Sequence, residues 1–175
     1  MLKGFLGSAE GVPSLANVGE SSDYISSDCA TRYFEILKMV EAFAGTFLLQ
    51  HTDDTFDDYM KALGVGMMTR VAAKTTKPTV TCAVNPDGSV LFKTESALKS
   101  QNLNFKLNEE FEEDTLDGRK TKTKFYVENG KLIQCQKATK ADEKDSTIIR
   151  EMKGDEMIAT MKCDNIVCTR TYKRK

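Results

Sequence analysis

The sequence predicts an all-β domain: antiparallel strands in series, folded as a sandwich or a barrel, with two short helices after the first strand. Three observations carry this. Beyond Pro78, apolar and polar residues alternate over short runs, the period of a strand with one buried face. Asn85-Pro86-Asp87-Gly88, Asp117-Gly118, Asn129-Gly130 and Gly154-Asp155 punctuate those runs with turn chemistry. No long helical pattern separates them, so neighbouring strands pair antiparallel. Closure into a barrel is preferred because it removes exposed strand edges.

The elements follow in order. Residues 1–27 are rich in Gly and Ser and read as a flexible tail. Asp28 is placed to cap a short helix through about Lys38, with Ala30, Tyr33, Phe34, Leu37 and Val40 on one stripe. That stripe predicts a helix docked on the domain or loosely ordered; it is short and its polar face is not strongly basic, which weighs against a partner-binding or membrane-surface helix. Gly45–Leu49 reads as a strand. Asp54 or Thr55 is placed to cap a helix carrying Phe56, Tyr59, Met60 and Leu63, which Gly64 stops. Met67, Met68, Val71 and Ala72 predict a second helix that ends before Pro78. Thr79–Val84 and Val90–Thr94 open the strand series.

Composition excludes several function classes. With 25 Lys and Arg against 26 Asp and Glu, the net charge of -1 offers no whole-molecule attraction for nucleic acid. One histidine, His51, excludes sites built on two imidazoles. Five cysteines, with no C-x-x-C pair, argue against a disulfide framework or a structural zinc site and for reduced thiols in the cytoplasm. No secretory signal or membrane span is expected. His51 lies near Asp53 and Asp54, but the chain lacks a G-x-S-x-G elbow, a P-loop and a G-x-G-x-x-G. It is read as a non-enzyme, and Glu109-Glu110 with Glu112-Glu113 as a solvated charge cluster.

Strand parity points inward. Thr121, Thr123, Phe125 and Val127 share one face, opposite Lys120, Lys122 and Lys124. Met157, Ala159 and Met161 share another, and Ile166, Cys168, Arg170 and Tyr172 another. Gln134 and Gln136 lie beside Leu132, while Ile149 and Glu151 leave the parity of Arg150 ambiguous. A packed core rejects such polar groups, at about 1–3 kcal/mol for each left unpaired. A wet, partly polar cavity accommodates them.

Residues 39–175 resemble the intracellular fatty-acid-binding proteins, the cytosolic lipid-binding β-barrels. Gly45-Thr46-Phe47 with Phe56-Asp57-Asp58-Tyr59-Met60 is similar to the family's N-terminal signature. Leu63-Gly64-Val65-Gly66, Thr69-Arg70 and Lys77-Pro78 resemble its helical lid and exit, Glu109–Glu113 with Asp117-Gly118-Arg119 a mid-barrel motif, and Arg170-Thr171-Tyr172 its Arg-x-Tyr motif. Residues 1–38 form an N-terminal extension outside the pattern.

The resemblance implies a ten-stranded antiparallel up-and-down barrel capped by a helix-turn-helix lid. It implies a monomer that binds and transports a long-chain fatty acid without catalysis, cofactor or metal. By motif position Arg150, Arg170 and Tyr172 correspond to the carboxylate-binding residues. Phe56, Met60, Ala73, Pro78, Leu98 and Asp117 fall where family members line the cavity or its portal. Another hydrophobic carboxylate such as retinoic acid is the alternative ligand, and an interaction role for the extension the alternative function. The lid is the expected route to the cavity, and Lys61, Arg70, Lys74, Lys77 and Lys99 are expected to form a basic rim that meets anionic membranes.

Overall fold

The computed structural model describes the backbone of residues 27–175 and the side chains from Thr31 onward, Phe34 excepted. The tail expected over residues 1–27 lies outside the described residues except for Ser27, which opens helix α1, and the placements of the Ala30 and Phe34 side chains on the helical stripe also lie outside them. Helix α1 spans Ser27–Glu41, beginning one residue before the expected cap and running three past Lys38. Strand β1 (Gly45–Thr52) leads into helices α2 (Phe56–Ala62) and α3 (Met67–Thr75). Nine more strands follow: β2 (Thr79–Val84), β3 (Val90–Glu95), β4 (Ser100–Phe105), β5 (Glu110–Asp114), β6 (Lys120–Glu128), β7 (Lys131–Ala138), β8 (Ser146–Lys153), β9 (Glu156–Cys163) and β10 (Ile166–Arg174). No helix among the described residues is long and apolar enough to cross a membrane.

All ten strands form one antiparallel sheet in the order β4-β3-β2-β1-β10-β9-β8-β7-β6-β5. First and last strands meet, with Leu49 opposite Tyr172 and Thr52 opposite Arg170. At Asn129-Gly130 both residues have positive φ, 51° and 72°, which suits the turn to the twist of β6 and β7. Gly45 has φ 133°, and a Cβ there would collide with the Arg174 guanidinium. Arg174 donates to the carbonyl of Ala44 and stacks 4.6 Å over Phe47, tying the last strand to the first.

The barrel is nearly closed rather than closed, as the preference for full closure had it. Strands β4 and β5 stand side by side without a hydrogen-bonded ladder. Side chains bridge the seam. Gln101 Nε2 donates to Glu113 Oε1 at 3.1 Å and to the Asp114 carbonyl at 2.7 Å, and Phe105 stacks on Phe111 at 5.7 Å. Lys99 Nζ reaches the Leu116 carbonyl at 3.0 Å and links the turns at one end of the seam. An amide and two rings thus replace the edge pairing that closure would have supplied.

Apolar side chains gather at the two ends of the barrel. Where the chain enters β1, Val40, Phe43, Phe47, Val90, Phe105, Phe125 and Leu132 form a tight plug. Stacking of Phe105 on Phe125, with centroids 3.9 Å apart, fills its middle. Helix α1 lies against this end. Ile36 and Leu37 pack on the plug, and the Tyr33 hydroxyl donates to the Gly88 carbonyl at 3.2 Å. At the other end Phe56, Tyr59, Met60, Leu63 and Val65 of the helical hairpin cover Met161, Cys163 and Cys168. Neither expected capping side chain holds the start of α2. Asp53 instead fixes the turn before the helix, accepting from the Thr55 amide at 2.7 Å and from its hydroxyl.

Removing residues 1–38 is expected to lower the thermal midpoint by a few degrees. Among the described residues the loss is three half-buried side chains, Tyr33, Ile36 and Leu37, and one hydrogen bond to the barrel, about 1–3 kcal/mol. Identical melting curves for the full chain and for residues 39–175 would contradict the docking of α1.

Candidate functional site: a polar-lined cavity inside the barrel

Between the two apolar ends lies a cavity of about 440 Å³, within the range typical of small-molecule sites. Its wall is built from alternate strand residues, as period-2 geometry requires. On β8 the burial pattern resolves the ambiguity left by Ile149 and Glu151. Ser146 and Arg150 are buried, and Arg150 lies opposite Leu132 and Ala159, both inward. On β10, Cys168, Arg170 and Tyr172 follow the same rule, and Arg170 also lies opposite Ala159.

One cross-strand row therefore reads Leu132, Arg150, Ala159, Arg170, Thr52. Two arginines stand two strands apart with a methyl group between them, which leaves open space where their side chains converge. Arg170 Nε donates to Thr52 Oγ1 at 3.2 Å, and its guanidinium lies 4.6 Å over the Phe56 ring. Tyr172 lines the same wall, with Arg170 5.7 Å over its ring.

Arg150 is the more deeply placed. Its guanidinium rests 4.4 Å over the Phe92 ring, an arrangement that supports a desolvated cation. Nη2 donates to Gln134 Oε1 at 2.9 Å, while Nη1 is buried and has no hydrogen-bond partner. Burial lowers the pKa of Arg150 to about 10, with Tyr172 and Glu113 pulling it back up. The group stays charged at neutral pH, and its unpartnered Nη1 is a strong donor buried at the cavity wall.

The acidic run 109–113 departs from the expected solvated cluster. Glu110 and Glu112 are exposed, but Glu113 is 3% exposed and faces the cavity. Its carboxylate accepts from Gln101, Thr123, Gln134 and Gln136 at 2.7–3.1 Å. Parity held the signal. Phe111 and Glu113 share a face of β5, and Glu113 lies opposite the inward Thr121. A run of four glutamates conceals that phase.

Phe56, Met60, Ala73, Pro78, Leu98 and Asp117 all line this cavity or its mouth. The mouth lies between α3 and the turns after β3 and β5, where Met68 and Leu98 are largely exposed. Asp117 is held by Arg119, which donates to it through Nε and Nη2 at 3.1–3.2 Å. Arg119, which is 6% exposed, also reaches Gln136 Oε1 at 3.3 Å, a cavity contact the motif alone does not disclose. Arg70 leaves the expected basic rim, since its Nε donates to Asp57 at 3.2 Å and Nη1 to the Val65 carbonyl at 2.9 Å. Lys61, Lys74 and Lys77 remain exposed there.

Other chemistry finds no footing among the described residues. His51 is exposed beside the β1 bulge, and no cluster of His, Cys, Asp and Glu is placed to hold a metal. Burial raises the thiols of Cys82 and Cys168 to about 11 and 12, where nucleophilic thiolate is scarce at neutral pH.

A nearly closed barrel around a partly polar cavity defines a β-barrel with room for a small amphipathic guest. Sequence comparison specifies the group. The profile of the lipocalin / cytosolic fatty-acid binding protein family matches residues 44–175. Fatty acid-binding protein 9 of Homo sapiens is 42% identical over 137 residues, 78% of this chain and 99% of its own. Fatty acid-binding protein homolog 6 of Caenorhabditis elegans is 40% identical over 138 residues, 78% of this chain and 100% of its own. The Schistosoma mansoni fatty acid binding protein in complex with arachidonic acid superposes with a TM-score of 0.73 at 34% identity, over 78% of this chain and 98% of that one. The chain belongs to the lipocalin / cytosolic fatty-acid binding protein family, and it is a lipid-binding protein, not an enzyme.

In a background carrying Cys29→Ser, a disulfide reagent at pH 8 is expected to modify one thiol quickly, that of half-exposed Cys135. Cys82, Cys163 and Cys168 are expected to react only on unfolding. Rapid labelling of two or more thiols in the native state would contradict the packing described for β2, β9 and β10.

Proposed function

We infer that residues 39–175 bind a long-chain fatty acid inside the barrel and carry it as a monomer in the cytoplasm. The observation that carries this reading is a cavity lined together by Arg150, Arg170 and Tyr172, with Arg150 Nη1 buried and without a hydrogen-bond partner among the described residues. Leaving aside Lys99 at the mouth, three arginines and two carboxylates line the cavity, so one ligand carboxylate makes the charges even. Arg150, Arg170 and Tyr172 are the groups placed to take it. The Schistosoma relative's bound arachidonic acid supports the ligand class.

Magnitudes assign the roles. A chain of about fifteen methylenes gains roughly 12 kcal/mol gross on burial, at ~0.8 kcal/mol each. Ordering the ligand removes several of these. Charge-assisted hydrogen bonds to the carboxylate add about 1.5–3 kcal/mol each. Tail burial against Phe56, Met60, Ala73, Pro78 and Met157 dominates affinity. The arginines orient the ligand and select an acid over an ester or alcohol.

Retinoic acid, also a hydrophobic carboxylate, satisfies the same polar groups and is the alternative cargo. In a displacement titration, Arg150→Ala and Arg170→Ala are expected to weaken a fatty acid about ten- to a hundredfold, and its methyl ester far less. Equal losses for acid and ester would remove the head-group assignment.

Loading passes between α3 and the turn after β3. Met67, Met68 and Val71 of α3 are exposed by 71%, 87% and 54%, with Lys74 and Lys77 close by in the chain. This face suits transient contact with an anionic bilayer. Met67→Glu is expected to slow fatty-acid transfer to vesicles containing phosphatidylserine several-fold while leaving affinity intact, since Met67 lies outside the cavity lining. Transfer indifferent to this substitution, to anionic lipid and to salt would exclude the contact.

A further inference from the structure

The polar side of the cavity holds a buried carboxylate that never touches the buried guanidinium it balances. Gln134 stands between them, giving its amide nitrogen to Glu113 Oε2 at 3.0 Å and receiving Arg150 Nη2 at its carbonyl, 2.9 Å away. Gln136 repeats the arrangement on the other flank. Its nitrogen donates to the same Glu113 oxygen at 3.0 Å, while its carbonyl receives Arg119 Nη2 at 3.3 Å and Ser146 Oγ at 2.6 Å. An ionised carboxylate only accepts and a guanidinium only donates. A glutamine between the two has a single orientation that satisfies both. Glu113 thus sets the direction of both amides, and through Gln134 it sets how much of Arg150 is already engaged.

We propose that Glu113 is a resident counter-anion, held one glutamine away from Arg150, that sets the selectivity for carboxylate ligands. The proposal deepens the fatty-acid reading and rests on its assignment of Arg150 to the ligand carboxylate. At that distance the negative charge stabilises the buried guanidinium in the empty barrel without occupying Nη1. A direct ion pair would have committed the guanidinium to a resident carboxylate. Once a ligand carboxylate arrives, Glu113 becomes a like charge near it and lowers its affinity. The spacer keeps Arg150 available, and the charge keeps its hold on acids moderate. Glu113 is a positioning residue here, acting on the ligand through Gln134 and Arg150.

Two substitutions separate this role from a merely structural one, because they move selectivity in opposite directions. Glu113→Gln removes the resident charge, so palmitate is expected to bind about tenfold tighter while methyl palmitate stays near its wild-type affinity. Gln134→Met removes the spacer but keeps the charge. Glu113 and Arg150 then pair directly, and palmitate is expected to weaken about tenfold against the ester.

Isothermal titration of both ligands on the full chain reads the acid-to-ester ratio in each variant. Changes that are equal for acid and ester, or a ratio that moves the same way in both variants, would overturn the proposal. If Glu113→Gln does not fold, Gln134→Met decides alone, and a ratio unchanged or raised there would overturn it. A wild-type chain that does not prefer palmitate to its ester would instead overturn the head-group reading on which the proposal stands.

Discussion

A guanidinium taken out of water with one nitrogen unmatched is the constraint on which the rest of the structure depends. Burying a cation costs several kcal/mol unless neighbouring groups compensate. Around Arg150 the compensation is distributed. The Phe92 ring lies beneath it, the Gln134 carbonyl takes one edge, and the Glu113 carboxylate supplies negative potential. None of these fills the position at Nη1. The cavity persists where small and polar side chains such as Ala159, Thr115 and Gln134 share the wall with larger ones such as Phe92 and Met157.

The ends do different work. The plug of Phe43, Phe47, Phe105 and Phe125, backed by α1, holds the first, last and central strands together and has little exposed surface. The α2–α3 end covers Met161, Cys163 and Cys168, yet α3 has no buried residue of its own. A helix with so little buried area is among the first parts of a fold to open. Rigidity at one end and weak attachment at the other suit a vessel filled from one side.

The same economy governs the seam. Strands β4 and β5 make no ladder with each other, and Gln101 spans them by binding Glu113, the carboxylate that also orders the polar wall. Closing the wall and balancing its charge therefore share a side chain. This links the integrity of the barrel to its ligand chemistry through a single buried acid.

Local pattern in the chain determined the strands, their turns and most of their inward faces. Alternation on β6, β9 and β10 and the turn pairs at Asn129-Gly130 and Gly154-Asp155 depend on adjacent residues, and adjacency is what a sequence displays directly. The Arg-x-Tyr pair on β10 was legible for the same reason. Register between distant strands was not. The row joining Arg150, Ala159, Arg170 and Thr52 arises from pairing across four strands, including the first with the last. The inward turn of Glu113 within an acidic run, the engagement of Arg70 by Asp57 and the unpaired seam likewise follow from contacts between separate elements and not from adjacent residues. A strand's period states which residues share a face; only closure of the sheet decides what that face meets.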